Sequence, residues 1–172
     1  MLKKITETER IYLRELEEVD YDDLCEILQD AETMYAYEHA FTDIEVRNWL
    51  NKQFDRYRQF GFGLWAVIEK NQDNFIGQVG LSIQEVNGIE ELEIGYLIKR
   101  RFWHQGYATE AAIACRDYAF YHLHKDRVVS IIRDTNLASQ NVAKRLGMKV
   151  ECLFVKHYYN MDLPHYLYSM CK

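Results

Sequence analysis

Between residues 92 and 132 the chain reads strand, short turn, long helix, strand, with no hairpin signal in between. The first run is Leu92-Glu93-Ile94-Gly95-Tyr96-Leu97-Ile98, and the second, Val128-Val129-Ser130-Ile131-Ile132, is rich in β-branched residues. The helix expected from about 106 to 124 carries Ala108, Ala112, Cys115, Ala119 and Leu123 in one stripe. Two strands joined by a helix lie parallel, through a right-handed crossover. Upstream the pattern differs. Strand-like runs at 64–69, 75–83 and 92–98 are separated by Asn71-Gln72-Asp73-Asn74 and by Asn87-Gly88, which tolerate the backbone angles of tight hairpins. One sheet must therefore change from antiparallel meander to parallel pair near its centre.

The remaining elements flank that sheet. An opening strand at 10–16 turns Ile11 and Leu13 inward, and a helix starting at Asp20 buries Leu24, Ile27 and Leu28. Thr42-x-x-Glu45 is a capping box for a second helix carrying Val46, Trp49, Leu50, Phe54 and Tyr57, stopped by Gly61. A last helix at 134–146, with Ala138, Val142 and Leu146 as its stripe, stops at Gly147 and is followed by strands near 150–157 and 166–171. The single proline, Pro164, falls in the connection between them, where it breaks no sheet. With no repeat or linker, residues 1–172 read as a single domain.

Composition removes several function classes. A net charge of −6 argues against binding nucleic acid by phosphate neutralisation and would suit a cationic substrate. Cys25, Cys115, Cys152 and Cys171 form no Cys-x-x-Cys pair and none has a histidine at metal-ligand spacing, so free thiols and no metal are expected. The first residues are charged and begin no long apolar segment. The expectation is a cytoplasmic protein without nucleic-acid or membrane partners; the closing strands could pair two copies as a homodimer.

The turn Trp103-His104-Gln105-Gly106-Tyr107-Ala108-Thr109 precedes the long helix. A strand-to-helix turn aims unpaired N–H groups one way, reinforced by the positive end of the helix dipole, and so suits phosphate. Lys99, Arg100 and Arg101 put three cations just before it, which would add attraction for an anion.

The runs Glu93-Ile94-Gly95-Tyr96-Leu97-Ile98, Trp103 through Ala111, Asn136-Leu137-Ala138-Ser139 and Lys144-Arg145-Leu146-Gly147-Met148 together resemble the GNAT superfamily of N-acetyltransferases, and more narrowly its ribosomal-protein N-terminal acetyltransferase (RimJ/RimL-like) branch. The likeness extends from the opening strand to Lys172. It implies an α/β (α+β) GNAT fold: a single mixed, mostly antiparallel sheet of six to seven strands with a parallel splayed central pair, flanked by about four helices. It implies acetyl-CoA as cosubstrate and a primary amine as acceptor, either a small molecule or a protein N-terminus, attacked directly in a ternary complex. The alternative is a non-catalytic CoA-sensing or interaction module on the same fold.

By resemblance the cofactor residues are Tyr96, Leu97 and Ile98, through backbone groups facing pantetheine, then His104, Gln105, Gly106, Tyr107, Ala108 and Thr109 around the pyrophosphate, with Asn136 and Ser139 across the gap. Asn136 suits a helix N-cap equally well. Trp103 stands where the wider family has Gln or Arg, and His104 where the branch usually has Gly.

Attack on a thioester requires a neutral amine, so a base is needed. Glu91 and Glu93 are candidates, and the resemblance favours Glu93. A backbone N–H between Ile94 and Tyr96, where the family strand bulges, would serve the developing oxyanion, and Gly95 suits a bulge. Many family members place a tyrosine in the last helix to protonate the thiolate; Ala143 occupies that position here, leaving Ser139, a water, Tyr158 or Tyr168 to replace it. Tyr35, Tyr37, Glu38, His39 and Tyr158, with His157 and His165, are the candidates for holding the acceptor, since aromatics and a carboxylate can hold an ammonium.

Overall fold

The computed structural model describes residues 4–37, 39–158 and 160–172, and of Tyr158 the backbone only. Among these, eight strands form one sheet in the order β1 (Lys4–Glu7), β2 (Ile11–Glu15), β3 (Leu64–Glu69), β4 (Asn74–Val86), β5 (Ile89–Ile98), β6 (Arg127–Arg133), β8 (Met161–Cys171), β7 (Lys149–Tyr158). Every neighbouring pair is antiparallel except β5–β6. On one face lie α1 (Tyr21–Leu28) and α2 (Asp43–Phe60); on the other lie α3 (Tyr107–Asp117) and α4 (Leu137–Arg145). This is the α+β architecture expected, with one strand more than the six to seven anticipated. The addition is β1, whose four residues Lys-Ile-Thr-Glu hold a single apolar side chain and so show no period to read.

Other differences have local causes. The long helix ends its α-helical part at Asp117 and continues as one π-helical turn, Tyr118–His122. In α4 the buried residues are Gln140, Val142 and Ala143, while Ala138 is exposed. Gln140 is accommodated because its Nε2 donates to the carbonyl of Asp134 at 2.8 Å and its Oε1 accepts from the Tyr168 hydroxyl at 3.0 Å; apolar periodicity cannot reveal a polar residue satisfied in this way.

The strand β8 starts at Met161 and contains Pro164, placed by sequence in a loop. Pro164 pairs with Val155 of the edge strand β7, and β6 has already ended at Arg133, opposite His165. The missing N–H therefore faces no ladder partner, so proline costs little there.

The centre of the sheet has two unequal seams. Strands β4 and β5 pair without a register shift from Gly77↔Ile98 to Val86↔Ile89. Strands β5 and β6 meet at a single pair, Glu93↔Val129, and then diverge. The bulge anticipated at Gly95 is absent, since the β4–β5 register is continuous through Gly80↔Gly95. These two glycines differ in surroundings. A Cβ on Gly80 would lie 2.1 Å from the Gly63 carbonyl oxygen and 2.7 Å from Leu64 Cα, whereas one on Gly95 would touch only Leu64 Cδ2 at 3.6 Å.

Chemical unfolding should expose that difference. Gly80→Ala is expected to cost about 3 kcal/mol or more through overpacking against backbone, and Gly95→Ala well under half of that; equal urea midpoints for the two variants would contradict the close approach.

Candidate active site

The turn before α3 is built from backbone strain and side-chain ties. Gly106, the residue capping α3, has φ +81°, and His104 has φ +60°. Left-handed backbone favours glycine, but histidine is among the residues found there more often than most. The first helical bond runs from Glu110 N to Gly106 O, so the N–H groups of Tyr107, Ala108 and Thr109 precede it and lack intrahelical acceptors. Trp103 donates from Nε1 to the Ile98 carbonyl at 2.7 Å, tying the turn to the end of β5.

Arg10 donates to the Gln105 carbonyl at 2.9 Å and to Glu110 Oε2 at 2.7 Å, and stacks 4.3 Å from the Tyr107 ring centroid. Thr8 adds a hydroxyl bond to Glu110. The opening hairpin thus clamps the turn.

The three cations ahead of the turn have other partners. Lys99, only 2% exposed, pairs with Asp23 and with Glu26 at 2.8 Å; Arg101 pairs with Glu26 at 2.9 Å, and Arg100 with Glu32 at 2.9 Å. They fasten the loop to α1 and to the segment after it. The free attraction for an anion that sequence suggested is therefore largely neutralised, which leaves the N–H groups of the turn as its unpaired donors.

At the junction of β5 and β6, alternation sets the faces. Leu92, Ile94 and Ile98 join the α3–α4 core with Tyr96 packed on it, while Leu97 packs on the α1–α2 core; Glu93 and Gly95 share the face of Leu97. Ser130 Oγ donates to the Ile94 carbonyl at 2.8 Å, so the backbone of Ile94 looks toward β6. By the same alternation the backbone of Tyr96 faces the widening gap. The Tyr96 hydroxyl crosses under α4 and donates to the Ser139 carbonyl at 2.6 Å. Burial pushes its pKa well above the ordinary phenol value.

Glu93 sits at the vertex. Burial raises its carboxyl to about 7, against the charges of Lys156 and Arg56 and the backbone N–H of Ile131, which act in the opposite direction. Glu91, the other candidate base, is held by Arg127, whose Nη2 is 2.9 Å and Nε 3.1 Å from its two carboxylate oxygens. Glu93 is the candidate whose carboxyl burial raises toward neutrality.

Asn136 caps α4: its Oδ1 accepts from Ser139 N at 3.1 Å and also from the Tyr35 hydroxyl at 3.0 Å. Arg133 Nη1 donates to the Tyr35 carbonyl at 3.1 Å, so the segment between α1 and α2 is latched to the β6–α4 turn. Tyr37 is exposed and edge-on to Phe41, and His39 lies 2.8 Å from Glu45 of the α2 capping box. Glu38 and the side chain of Tyr158 lie outside the described residues. His157 is paired with Asp162 in the exposed β7–β8 hairpin. His165 is buried, its Nδ1 is 2.8 Å from the Leu163 carbonyl, and burial lowers its pKa. The Tyr168 hydroxyl is engaged by Gln140 beneath α4.

The structure thus gathers Glu93, Tyr96, Asn136 and Ser139 at the gap and His104 through Thr109 at its α3 end. It adds residues that sequence reading missed: Thr8 and Arg10 at the turn, Arg56 and Ser82 on the face of Glu93, and Ser130 at the Ile94 carbonyl. Ser82 stands directly across from Glu93 on β4. No local motif marks these residues, because each acquires its position from a distant element. Among the described residues no group of three or more His, Cys, Asp or Glu is arranged to hold a metal ion.

Comparison with known proteins agrees with this geometry. The family model described as an acetyltransferase (GNAT) domain matches residues 10–149. The uncharacterized protein YkkB of Bacillus subtilis is 35% identical over 82% of this chain and 83% of its own. A GNAT-family acetyltransferase from Bacillus anthracis superposes with a TM-score of 0.80 at 26% identity, covering 96% of each chain. RimL, a ribosomal L7/L12 alpha-N-protein acetyltransferase solved in complex with coenzyme A, superposes with a TM-score of 0.78 at 18% identity over 98% of each chain.

The position of Glu93 has a consequence for stability. Its folded pKa, about 7, lies above the ordinary 4.5, so between those values the folded chain holds a proton that the unfolded chain has released. This stabilising contribution is lost as pH rises through about 7. Glu93→Gln should gain about 2–3 kcal/mol relative to the parent chain between pH 5 and pH 8 in urea titrations; a pH-independent difference would show that the carboxyl is not held protonated by burial.

Proposed function

The chain belongs to the GNAT acetyltransferase family, and from that premise we propose that it moves an acetyl group from acetyl-CoA to a primary amine by direct attack in a ternary complex. The observation that carries the proposal is the single β5–β6 pair with Glu93 at its vertex. The diverging strands leave an open β5 edge beside the N-terminus of α3. That edge and the helix N-terminus suit the amides and the pyrophosphate of a CoA molecule. The coenzyme A bound by RimL, a neighbour in fold, supports the same reading.

In this reading the N–H groups of Tyr107, Ala108 and Thr109 and the dipole of α3 hold the pyrophosphate. The Tyr96 backbone pairs with the pantetheine arm, and Asn136 and Ser139 line its other side. Bound acetyl-CoA supplies an activated thioester. Glu93 accepts a proton from the acceptor ammonium, directly or through water, and a carboxyl poised near neutrality suits a base that must be ionised yet able to take a proton. In this reading the Ser139 hydroxyl donates to the departing sulfur, a role for which the Tyr168 hydroxyl, committed to Gln140, is less free. The acceptor, a small amine or a protein N-terminus, enters on the α1–α2 face.

Thiol release from acetyl-CoA, followed across a panel of amines and peptide N-termini, tests the proposal. The expected kcat/KM rises with pH to a plateau above about 7, following ionisation of Glu93, and Glu93→Gln lowers it roughly 10²–10⁴-fold. Tight acetyl-CoA binding without thiol release for any amine would instead support the CoA-sensing module.

A further inference from the structure

Beside Glu93 on the α1–α2 face the floor of the sheet is glycine. Gly80 and Gly95 stand opposite each other, two residues along their strands from Ser82 and Glu93; Gly80 is covered by the backbone of Gly63 and Leu64, whereas a Cβ at Gly95 would find only one neighbour, Leu64 Cδ2. Arg56 of α2 lies on the far side of Gly63. Its Cβ lies 3.3 Å from where a Cβ on Gly63 would sit, and the Gly63 carbonyl is the group that a Cβ on Gly80 would strike. The two contacts place the arginine stem one backbone away from the glycine floor.

The charge of Arg56 is unusual in this chain. Most arginines hold a carboxylate: Arg14 with Asp20 at 2.7 Å and Arg127 with Glu91 at 2.9 Å are examples. Arg56 is half-buried and donates to Gln53 Oε1 at 3.1 Å, but among the described residues it has no carboxylate within 4 Å. Glu93 faces it on the same side without forming an ion pair. Burial lowers the pKa of Arg56, and Lys52 on the same helix is lowered as well, by burial and by the charge of Arg56.

Two further donors on this face are unsatisfied. Gln78, fully buried one alternation beyond Gly80, gives its Oε1 to Trp49 Nε1 at 2.9 Å and leaves Nε2 without a partner, and Arg133 Nε is buried without one. A desolvated cation without a counter-charge is costly, and so are buried donors left unpaired. The first cost is relieved by an anion beside Arg56. The guanidinium fork is suited to a carboxylate.

Resting on the acetyl-transfer reading, we propose that the acceptor is a primary amine that also carries a carboxylate, received by Arg56 on the open Gly95 side of the floor while the amine reaches Glu93. The site thus selects against the polycationic acceptor that the acidic composition would suggest. Arg56 is a specificity determinant, and its effect falls on the acid group of the substrate rather than on proton transfer.

The experiment compares acids with their own amides: β-alanine, 4-aminobutyrate and 5-aminopentanoate against the corresponding amides, and the peptide Asp-Ala-amide against Asn-Ala-amide. The first set reports a small-molecule carboxylate and the second an acidic side chain at a peptide N-terminus. At least one pair should favour the acid tenfold or more in kcat/KM with the unaltered protein. Arg56→Gln should bring that ratio close to one, mainly through KM, and Arg56→Lys should keep part of it. Thermal melting and acetyl-CoA titration of both variants establish that they are folded. Equal or better use of the amides, transfer only to diamines, or a ratio unchanged in Arg56→Gln would overturn the proposal while leaving acetyl transfer intact. Absence of transfer to every amine would overturn acetyl transfer and this inference with it.

Discussion

The interaction on which the site depends is the single register pair between Glu93 and Val129. A parallel ladder extended by two or three more pairs would close the gap and satisfy the backbone of both strands. The chain avoids this with side chains. Ser130 occupies the Ile94 carbonyl, Trp103 occupies the Ile98 carbonyl, and Tyr96 is drawn beneath α4 by its bond to Ser139. The first two satisfy carbonyls that a longer ladder would have used, so an open edge persists inside a folded sheet at tolerable cost. The same junction puts Glu93 where burial can raise its pKa. Opening the strands and tuning the base are thus one structural event.

The parts visible in the sequence were those encoded by period and turn chemistry. The strand–helix–strand unit, the Asn87-Gly88 hairpin and the Thr42–Glu45 capping box all recur in the structure because each is a local agreement of several residues. Parts that depend on distant partners were not visible. Lys99, Arg100 and Arg101 read as a basic cluster beside an anion site, yet their carboxylates come from the segment 23–32, far away in sequence. Gln140 lies outside the apolar stripe read for the last helix and is a buried bracket between α4 and Tyr168. Glu93 became visible through resemblance, since a lone glutamate in an apolar strand has no signature of its own. Arg56 had none either, as it acquires meaning only when Gly63, Gly80 and Gly95 are brought near it.

The turn before α3, proposed to hold the pyrophosphate, shows how backbone geometry can be kept while side chains vary. Two of its residues have positive φ, and only one of them is glycine. His104 accepts the strain that glycine would avoid, and the turn is held by Trp103 on one side and by Arg10 on the other. The N–H groups of α3 depend on that conformation and not on the identity of residue 104. A departure from the family pattern at the level of side chains therefore need not alter the electrostatics that a pyrophosphate meets.

Charge is the feature for which global and local readings point in opposite directions. A net charge of −6 describes the surface, where long-range fields are screened over roughly 8–10 Å at moderate ionic strength. Some of its carboxylates, Asp23, Glu26, Glu91 and Glu151, are paired with Lys99, Arg101 and Arg127. The charges that act on Glu93 are those of Lys156 and of the half-buried Arg56 guanidinium, and at low dielectric a single such charge outweighs many solvated ones. On the proposed mechanism Glu93 cannot be the counter-ion of Arg56, because a carboxylate paired with arginine is driven to low pKa and becomes a poor base. An arginine kept out of an ion pair with Glu93 leaves that carboxyl raised, and on the same proposal it stays available to the anion that enters with the amine.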